Sequence, residues 1–243
     1  EGAIKIFLFG SVSSAVMLLG IGFLFAATGT TFWTRVASWP ADPLVSAGAA
    51  LLLVGFGFKI AIFPFSLWVP DTYQAAPTPI LAFVSVAPKA AAVVGLFRLV
   101  FEVFQPAGVA INGWLAILAA LTMTVGNLLA LRQSDLKRLL AFSGIAQIGY
   151  VLLALSAGTK LAAGLALFAF VAYLAANAGA FLVVAAMEIS GCEPTFHGAR
   201  NMVARSPLLA AAMLVFLLSL GGIPFALGFW GKMYVFLAAA QAG

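Results

Sequence analysis

Long apolar runs, nearly free of charged residues, constrain this sequence more than any other feature. A helix needs about 20 consecutive apolar residues to cross the hydrocarbon core of a bilayer. Several runs reach that length, so the sequence predicts an all-α polytopic membrane protein with a single transmembrane domain over residues 1–243. We expect about seven spans, the last one broken. They lie at roughly residues 4–27, 44–69, 79–104, 110–131, 136–157, 160–188 and 207–239.

Composition limits the class of protein and its partners. Hydrophobic residues make up 64% of the chain and charged residues 8%, whereas a soluble domain carries about 25% charged residues. This excludes a soluble enzyme and makes the lipid bilayer the expected surroundings. The 12 Lys and Arg residues outnumber the 7 Asp and Glu residues, but they do not form the dense basic face that phosphate binding needs. A nucleic-acid partner is therefore not expected.

Metal and redox sites are limited by composition too. Cys192 is the only cysteine and His197 the only histidine, so these side chains alone cannot build an iron–sulfur cluster, a zinc site or a disulfide. We expect no catalytic residue, metal or cofactor in this chain, and any redox chemistry in other chains. The sequence begins at Glu1 rather than Met and stops directly after an apolar run. We therefore expect it to be a fragment of a longer protein.

Basic residues near the span ends predict the orientation, because cytoplasmic loops carry an excess of Lys and Arg. One side holds Lys5, Arg132, Lys137, Arg138, Arg200 and Arg205, and the other holds Arg35, Arg98 and Lys160. The first side is expected to be cytoplasmic. Charged residues at span ends, such as Lys137, are expected to reach the headgroups by snorkelling, and Asp71 is expected to cap the backbone or bind water.

Three lysines lie inside these apolar spans: Lys59, Lys89 and Lys232. A lysine at the bilayer centre costs about 2.5 to 3.5 kcal/mol on insertion scales, and such residues usually face a bundle interior or a water-filled path. The three lysines are therefore candidates for a proton relay. The alternative is structural, since an ammonium group can also cap carbonyls freed by a broken helix or pair with a carboxylate.

Helix breakers surround two of these lysines. Gly55, Gly57 and Pro64 lie around Lys59, and Gly221, Gly222, Pro224, Gly228 and Gly231 precede Lys232. Proline removes a backbone donor and glycine favours bends, so both spans are predicted to be discontinuous helices. Paired interrupted spans are typical of transporters built from repeats.

Polar side chains near the lysines are expected to orient water between them. Lys59 and Lys89 are equally far from the middle of the connection between Pro70 and Pro79, so a helical hairpin would bring them to similar depth as neighbours. The candidate water-organising groups are Ser66, Tyr73, Ser143, Gln147 and Tyr150.

The residues around the lysines resemble the antiporter-like membrane subunits of respiratory complex I. The signature consists of Phe58-Lys59, Pro64-Phe65, Leu67-Trp68, Pro70-Asp71, the run from Tyr73 to Pro79 and Ala87-Pro88-Lys89. Later segments are similar to the same family, namely Asp135 to Ser143, Gly149-Tyr150, Gly222 to Pro224 and Gly228 to Lys232. Within the family, the run from Tyr73 to Pro79 is most similar to the bacterial subunits of the N type.

This resemblance implies an antiporter-like bundle of two inverted five-helix repeats, each with a discontinuous helix. It assigns proton-relay roles to Lys59, Lys89 and Lys232 in a proton-translocating subunit of NADH-quinone oxidoreductase, an integral protein of the bacterial cytoplasmic membrane. The implied partners are other membrane subunits of complex I, including neighbouring antiporter-like subunits, with NADH, flavin, iron–sulfur clusters and quinone bound elsewhere. Relatives often have histidine in place of Ser66 and Gln147, so a role for these two residues must be hydrogen bonding to water.

Two other functions are compatible with the sequence. The chain could belong to a cation/proton antiporter that exchanges sodium for protons without electron transfer. It could also be a scaffold subunit that fills the membrane arm between active neighbours and conducts no protons.

Overall fold

A computed structural model describes residues 2–40, 42–200 and 202–241, which form helices joined by short connections. The helices are α1 (Gly2–Thr28), α2 (Trp33–Ala37), α3 (Pro43–Ile60), α4 (Trp68–Ala75), α5 (Thr78–Val84), α6 (Ala87–Leu99), α7 (Ile111–Ala130), α8 (Leu136–Ser156), α9 (Lys160–Ile189), α10 (Met202–Arg205), α11 (Pro207–Gly221) and α12 (Leu227–Gln241). A π-helical turn at Val100–Phe104 extends α6. The predicted all-α class is confirmed.

Within the described residues, six helical segments are long and apolar enough to cross a membrane. They are α1, α3, α7, α8, α9 and the segment Thr78–Phe104, which comprises α5, α6 and the π-helical turn. The seventh expected span consists of α11 and α12, each of which is too short to cross alone. The chain is therefore an integral, multi-pass membrane protein.

Side-chain caps fix where several helices begin. Asp42, Asp135 and Thr159 precede α3, α8 and α9, and each side-chain oxygen accepts a hydrogen bond from the backbone N–H three residues later, at 2.7, 2.8 and 3.1 Å. Such bonds satisfy donors that the first helical turn leaves free. The local sequence thus determines where each of these three helices begins.

Small residues allow the helices to pack closely. A Cβ atom added to Gly20 on α1 would lie 2.9 Å from the carbonyl oxygen of Gly48 on α3, and one added to Gly126 on α7 would lie 2.6 Å from the backbone nitrogen of Ala146 on α8. Close approach of backbones at small residues is the usual way in which transmembrane helices associate. Most residues of α8 are buried in these contacts, so α8 forms the centre of the bundle.

Two spans are broken, as predicted. The first break, residues 61–67, separates α3 from α4, and the second break, residues 222–226, separates α11 from α12. Both begin in the same way, because Ala61 and Gly222 adopt left-handed backbone conformations with φ of 66° and 74°. A further irregularity, which the sequence did not predict, separates α5 from α6 just before Lys89.

The order of the helices repeats with inverted orientation. The intact helix α1 precedes the broken pair α3 and α4, and the intact helix α9 precedes the broken pair α11 and α12. The start of α1 and the end of α9 lie at the same end of the bundle, where Asp71 pairs with Lys5 and Arg138, and Glu188 pairs with Lys137. Because α1 and α9 run in opposite directions, the two units are inverted relative to each other.

Candidate functional site

Lys59 and Lys89 line one cavity of about 600 Å³ between α1, α3, α4 and α6. Lys59 is the last residue but one of α3, beside the first break, and its side chain is exposed. Within the described parts of the chain its amine forms neither a hydrogen bond nor an ion pair. The hydroxyl groups of Ser13 and Ser14 on α1 also lie along this cavity. The first two lysines therefore share one space, which is large enough to hold several waters.

Lys89 is 2% exposed and lies at the start of α6, immediately after the irregularity in its span. Its Nζ atom has no hydrogen-bond partner among the described residues, although it lies 5.8 Å from the centre of the Tyr73 ring. The Tyr73 and Tyr173 hydroxyls and Asn177 Oδ1 are also buried without partners there. Buried polar groups are normally hydrogen-bonded to protein or to ordered water, so water is the expected partner of these atoms.

Lys89 and Tyr173 approach each other beside Gly144 of α8. A Cβ atom placed on Gly144 would lie 2.8 Å from the Tyr173 hydroxyl and 3.2 Å from Lys89 Nζ, so these two polar atoms are at most about 6 Å apart. A single water can bridge such a gap. The absence of a side chain at Gly144 leaves this place open.

Lys232 lies in α12 after the second break and caps the end of α11. Its Nζ atom donates to the Leu220 carbonyl oxygen at 2.6 Å, and Gln147 Nε2 donates to the same oxygen at 2.8 Å. The Lys232 amine also lies 4.9 Å from the centre of the Tyr150 ring. A positive charge at a helix C-terminus is favourable. Lys232 therefore fits the structural alternative, in which an ammonium group caps the carbonyls that a broken helix leaves free.

Tyr173 connects the two lysine sites. Tyr173 lines a narrow cavity with Gln147, Tyr150 and Lys232, while its hydroxyl group lies near Lys89 beside Gly144. The narrow cavity holds only about 10 Å³, close to the minimum space for one water. The order of groups through the bundle is thus Lys59, Lys89, Tyr173 and Lys232.

The predicted water-organising residues fall into different places. Gln147 and Tyr150 lie beside Lys232, and Tyr73 lies beside Lys89. Ser66 instead lines a separate cavity of about 190 Å³ on the α7 and α8 side of the first break. Ser143 is half-buried on α8, one turn before Gln147. The relay roles of all these residues stay predictions.

Sequence reasoning missed Tyr173 and Asn177 on α9. They are four residues apart in an otherwise apolar helix of 30 residues, so they share one face of that helix. Asn177 Nδ2 donates to Ser85 Oγ at 2.9 Å, which ties α9 to the irregularity before Lys89. The i, i+4 spacing of two polar residues was the available signal.

Two predictions about charged residues at span ends were wrong. Asp71 neither caps the backbone nor faces only water, because it accepts hydrogen bonds from Lys5 and, at 2.7 Å, from Arg138. Lys137 does not snorkel to the headgroups, because it is 8% exposed and pairs with Glu188 at 3.2 Å. In both cases a distant helix supplies the opposite charge, which the local sequence does not reveal.

The inverted units, the broken helices and the lysines beside the breaks define an antiporter-like transmembrane protein. The chain belongs to the NADH:quinone oxidoreductase/Mrp antiporter transmembrane family, which it matches over residues 1–243. The resemblance described from the sequence is confirmed.

Among curated relatives, the chain is 44% identical to NADH-quinone oxidoreductase subunit N 2 of Sorangium cellulosum and 42% identical to subunit N of Trichlorobacter lovleyi. In both comparisons 100% of this chain aligns with 51% of the relative. The chain therefore spans about half the length of the curated relatives it matches.

Solved structures give the same result. A chain of respiratory complex I from Thermus thermophilus with bound aureothin is 39% identical, with a TM-score of 0.82 over 100% of this chain and 53% of that chain. A chain of an archaeal membrane-bound sulfane sulfur reductase is 28% identical, with a TM-score of 0.91 over 99% of this chain and 50% of that chain. A chain of the Mrp complex from Dietzia sp. DQ12-45-1b, at 24% identity and a TM-score of 0.89 over 100% of this chain and 45% of that chain, shares the fold.

Proposed function

We propose that this chain is part of subunit N of a bacterial NADH-quinone oxidoreductase and that it carries protons through the cytoplasmic membrane. Lys59, Lys89 and Lys232 load and release protons, and Tyr173 with intervening water passes them between Lys89 and Lys232. Electron transfer, with NADH, flavin, iron–sulfur clusters and quinone, takes place in other subunits. The neighbouring membrane subunits, including antiporter-like ones, transmit the energy released by electron transfer to this chain.

One observation carries this proposal: the Lys89 amine is buried without a partner among the described residues, and it lies near the Tyr73 ring and the equally unpartnered Tyr173 hydroxyl. A purely structural lysine would have a hydrogen-bonding partner, because an unsatisfied buried polar group costs about 1 to 3 kcal/mol and a charged one costs more. Water or a transferred proton satisfies such groups. The arrangement therefore supports a wet path better than a scaffold.

The energetic demand on this path is modest. Moving one proton against a membrane potential of about 100 mV costs about 2.3 kcal/mol. Gaining or losing one charge-assisted hydrogen bond changes the free energy by a comparable amount, about 1.5 to 3 kcal/mol. Changes in the hydrogen bonding of the lysines are thus large enough to drive the transfer.

Replacing Lys89 tests the proposal. In the complete complex in membrane vesicles, Lys89→Met is expected to reduce redox-driven proton uptake about tenfold or more, because a positioned proton carrier is lost. The measurement compares proton uptake with NADH oxidation in the same vesicles. The matched control is Lys160→Met, which changes an exposed lysine at the start of α9. Wild-type proton uptake by Lys89→Met would disprove the relay.

The remaining functions make different predictions. A sodium-exchanging antiporter requires sodium for proton movement, whereas the proposed relay works in sodium-free buffer with NADH as the energy source. A scaffold subunit keeps full proton uptake when all three lysines are replaced by methionine. Measuring NADH-driven proton uptake with and without sodium, in the wild type and the triple variant, separates the three functions.

A further inference from the structure

The helix α5 is a short piece between two interruptions of the helical backbone. It consists of seven residues, Thr78–Val84, about two turns. A non-helical connection separates it from α4, and Pro88 after it has no backbone N–H to donate to the Val84 carbonyl. Lys89 is the third residue of α6, about one turn beyond the end of α5. The position of Lys89 therefore depends on what holds α5.

Two hydrogen bonds fasten α5 to α9, one at each end of α5. At its start, Thr78 Oγ1 donates to Glu188 Oε2 at 2.6 Å. At its end, Asn177 Nδ2 donates to Ser85 Oγ at 2.9 Å. Thr78 and Ser85 are 0% exposed, and Asn177 is 1% exposed. Glu188 and Asn177 are 11 residues apart, which is about three helical turns, so one face of α9 holds both ends of α5.

The Glu188 carboxylate is itself held in place from α8. Its Oε1 atom pairs with Lys137 Nζ at 3.2 Å, while its Oε2 atom accepts the hydrogen bond from Thr78. The same lysine amine also donates to the Ala76 carbonyl oxygen at 3.2 Å, just before α5. Hydrogen bonds to ionised groups are about twice as strong as those between neutral groups. The start of α5 is therefore more firmly fastened than its end.

Other residues of α9 pack closely against α11 and α12. A Cβ atom placed on Gly179 of α9 would lie 2.3 Å from the Phe216 ring of α11, and one placed on Gly231 of α12 would lie 2.9 Å from Ala169 Cα on α9. Gly231 directly precedes Lys232 in the chain. Close-packed protein interiors are hardly compressible and transmit displacements. The helix α9 is thus in firm contact with the Lys232 site on one hand and with α5 on the other.

We propose that Thr78, Asn177 and Glu188 are positioning residues, which fasten α5 to α9 and thereby hold Lys89 at the distance from the Lys232 site that proton transfer requires. This inference rests on the proposed proton relay and adds to it the residues that keep its two halves in register. The transfer depends steeply on geometry, since a misplacement of about 1 Å can cost about 100-fold in rate. Thr78 and Asn177 have no ionisable side chain, so they act on the relay through position.

Single substitutions in the full-length protein, within its assembled complex in membrane vesicles, test the proposal. Thr78→Val and Asn177→Leu each remove one hydrogen bond between α5 and α9 and nearly keep the side-chain shape. The number of protons taken up per NADH oxidised is expected to fall about threefold or more, which is the effect of one lost hydrogen bond of ordinary strength. Thr78→Ser keeps the hydroxyl and is expected to restore this ratio. The matched control is Thr124→Val, because the Thr124 hydroxyl donates to the Ala120 carbonyl within α7.

Hydrogen–deuterium exchange gives a second measurement, which does not depend on transport. The backbone amides of residues 78–90 are expected to exchange faster in Thr78→Val and Asn177→Leu than in the wild type and Thr124→Val, because α5 has lost an anchor. Ser85→Ala removes the acceptor of the Asn177 bond. Combining Ser85→Ala with Asn177→Leu is therefore expected to be no worse than either change alone. Unchanged exchange in both Thr78→Val and Asn177→Leu would show that other contacts hold α5.

The transport results separate this inference from the relay on which it rests. Wild-type proton uptake per NADH in both Thr78→Val and Asn177→Leu, together with a defective Lys89→Met, would keep the relay and reject the positioning role. Less assembled complex with a normal ratio of protons to NADH would show a merely structural role. Normal uptake in Lys89→Met would reject the relay and the positioning role together. If Asn177→Leu fails to assemble, the comparison of Thr78→Val with Thr78→Ser decides.

Discussion

The two broken helices end in the same helix cap but place their lysines in opposite environments. Lys59 borders a cavity of about 600 Å³ and has no partner among the described residues, whereas Lys232 borders a cavity of about 10 Å³ and donates to the Leu220 carbonyl. One amine is free to exchange with water, and the other is held by the helix that it caps. The comparison teaches that the same backbone break can leave its lysine in an open cavity or hold it at a helix end.

Replacing Lys59 should give the largest effect and only on transport. Lys59→Met removes a proton site but no hydrogen bond to the described residues, so we expect proton uptake to fall about tenfold or more while the melting temperature of the complex stays unchanged. Vesicle proton uptake and thermal unfolding of the purified complex are measured together, with Lys160→Met as the control. A large loss of stability would show that Lys59 has a structural partner in the intact protein.

Replacing Lys232 should affect both transport and stability. Lys232→Met removes a charge-assisted hydrogen bond to Leu220, which is expected to cost about 1 to 3 kcal/mol, and it removes the last proton site of the path. The measurement is the same pair of assays, with Gln147→Leu as a matched variant that removes only the second donor to the Leu220 oxygen. Equal stability losses for Lys59→Met and Lys232→Met would contradict the distinction between an open and a tethered site.

Removing the Tyr173 hydroxyl should give the smallest effect of the three. Tyr173→Phe keeps the ring packing and deletes a hydroxyl without a partner in the described chain, so we expect stability to change by less than about 1 kcal/mol. Proton uptake should fall several-fold, since the link between Lys89 and Lys232 is weakened. The control is Tyr234→Phe, which changes a tyrosine outside this link on α12. Unchanged uptake in Tyr173→Phe would place the connection elsewhere.

The sequence was sufficient to predict the all-α class, the two breaks and the position of a lysine near each break. Each of these depends on local patterns: apolar length, helix-breaking residues and the cost of charge in lipid. It was also sufficient to place Lys59 beside Lys89, because a helical hairpin fixes their relative depth. The irregularity before Lys89 was missed although Pro88 provides a signal for it, because proline removes a backbone donor and clashes with the preceding turn, which here contains Ser85.

Contacts between helices that are distant in sequence could not be predicted. Ser66 faces the cavity beside α7 rather than the Lys59 cavity, and Tyr173 reaches Lys89 from a helix more than 80 residues away in the chain. The ion pairs of Asp71 and Lys137 depend on the same long-range packing. Charge and polarity reveal which residues are unusual, but only the packed bundle decides which of them meet.

Gly144 leaves a space on one face of α8. Gly144 is one of two glycines of this helix, and it shares a face with Gln147 and Val151, which line the Lys232 cavity. It lies where the Lys89 amine and the Tyr173 hydroxyl approach each other. A single methyl group would fill that opening. The space between the Lys89 amine and the Tyr173 hydroxyl is therefore set by a residue that carries no charge and no polar side chain.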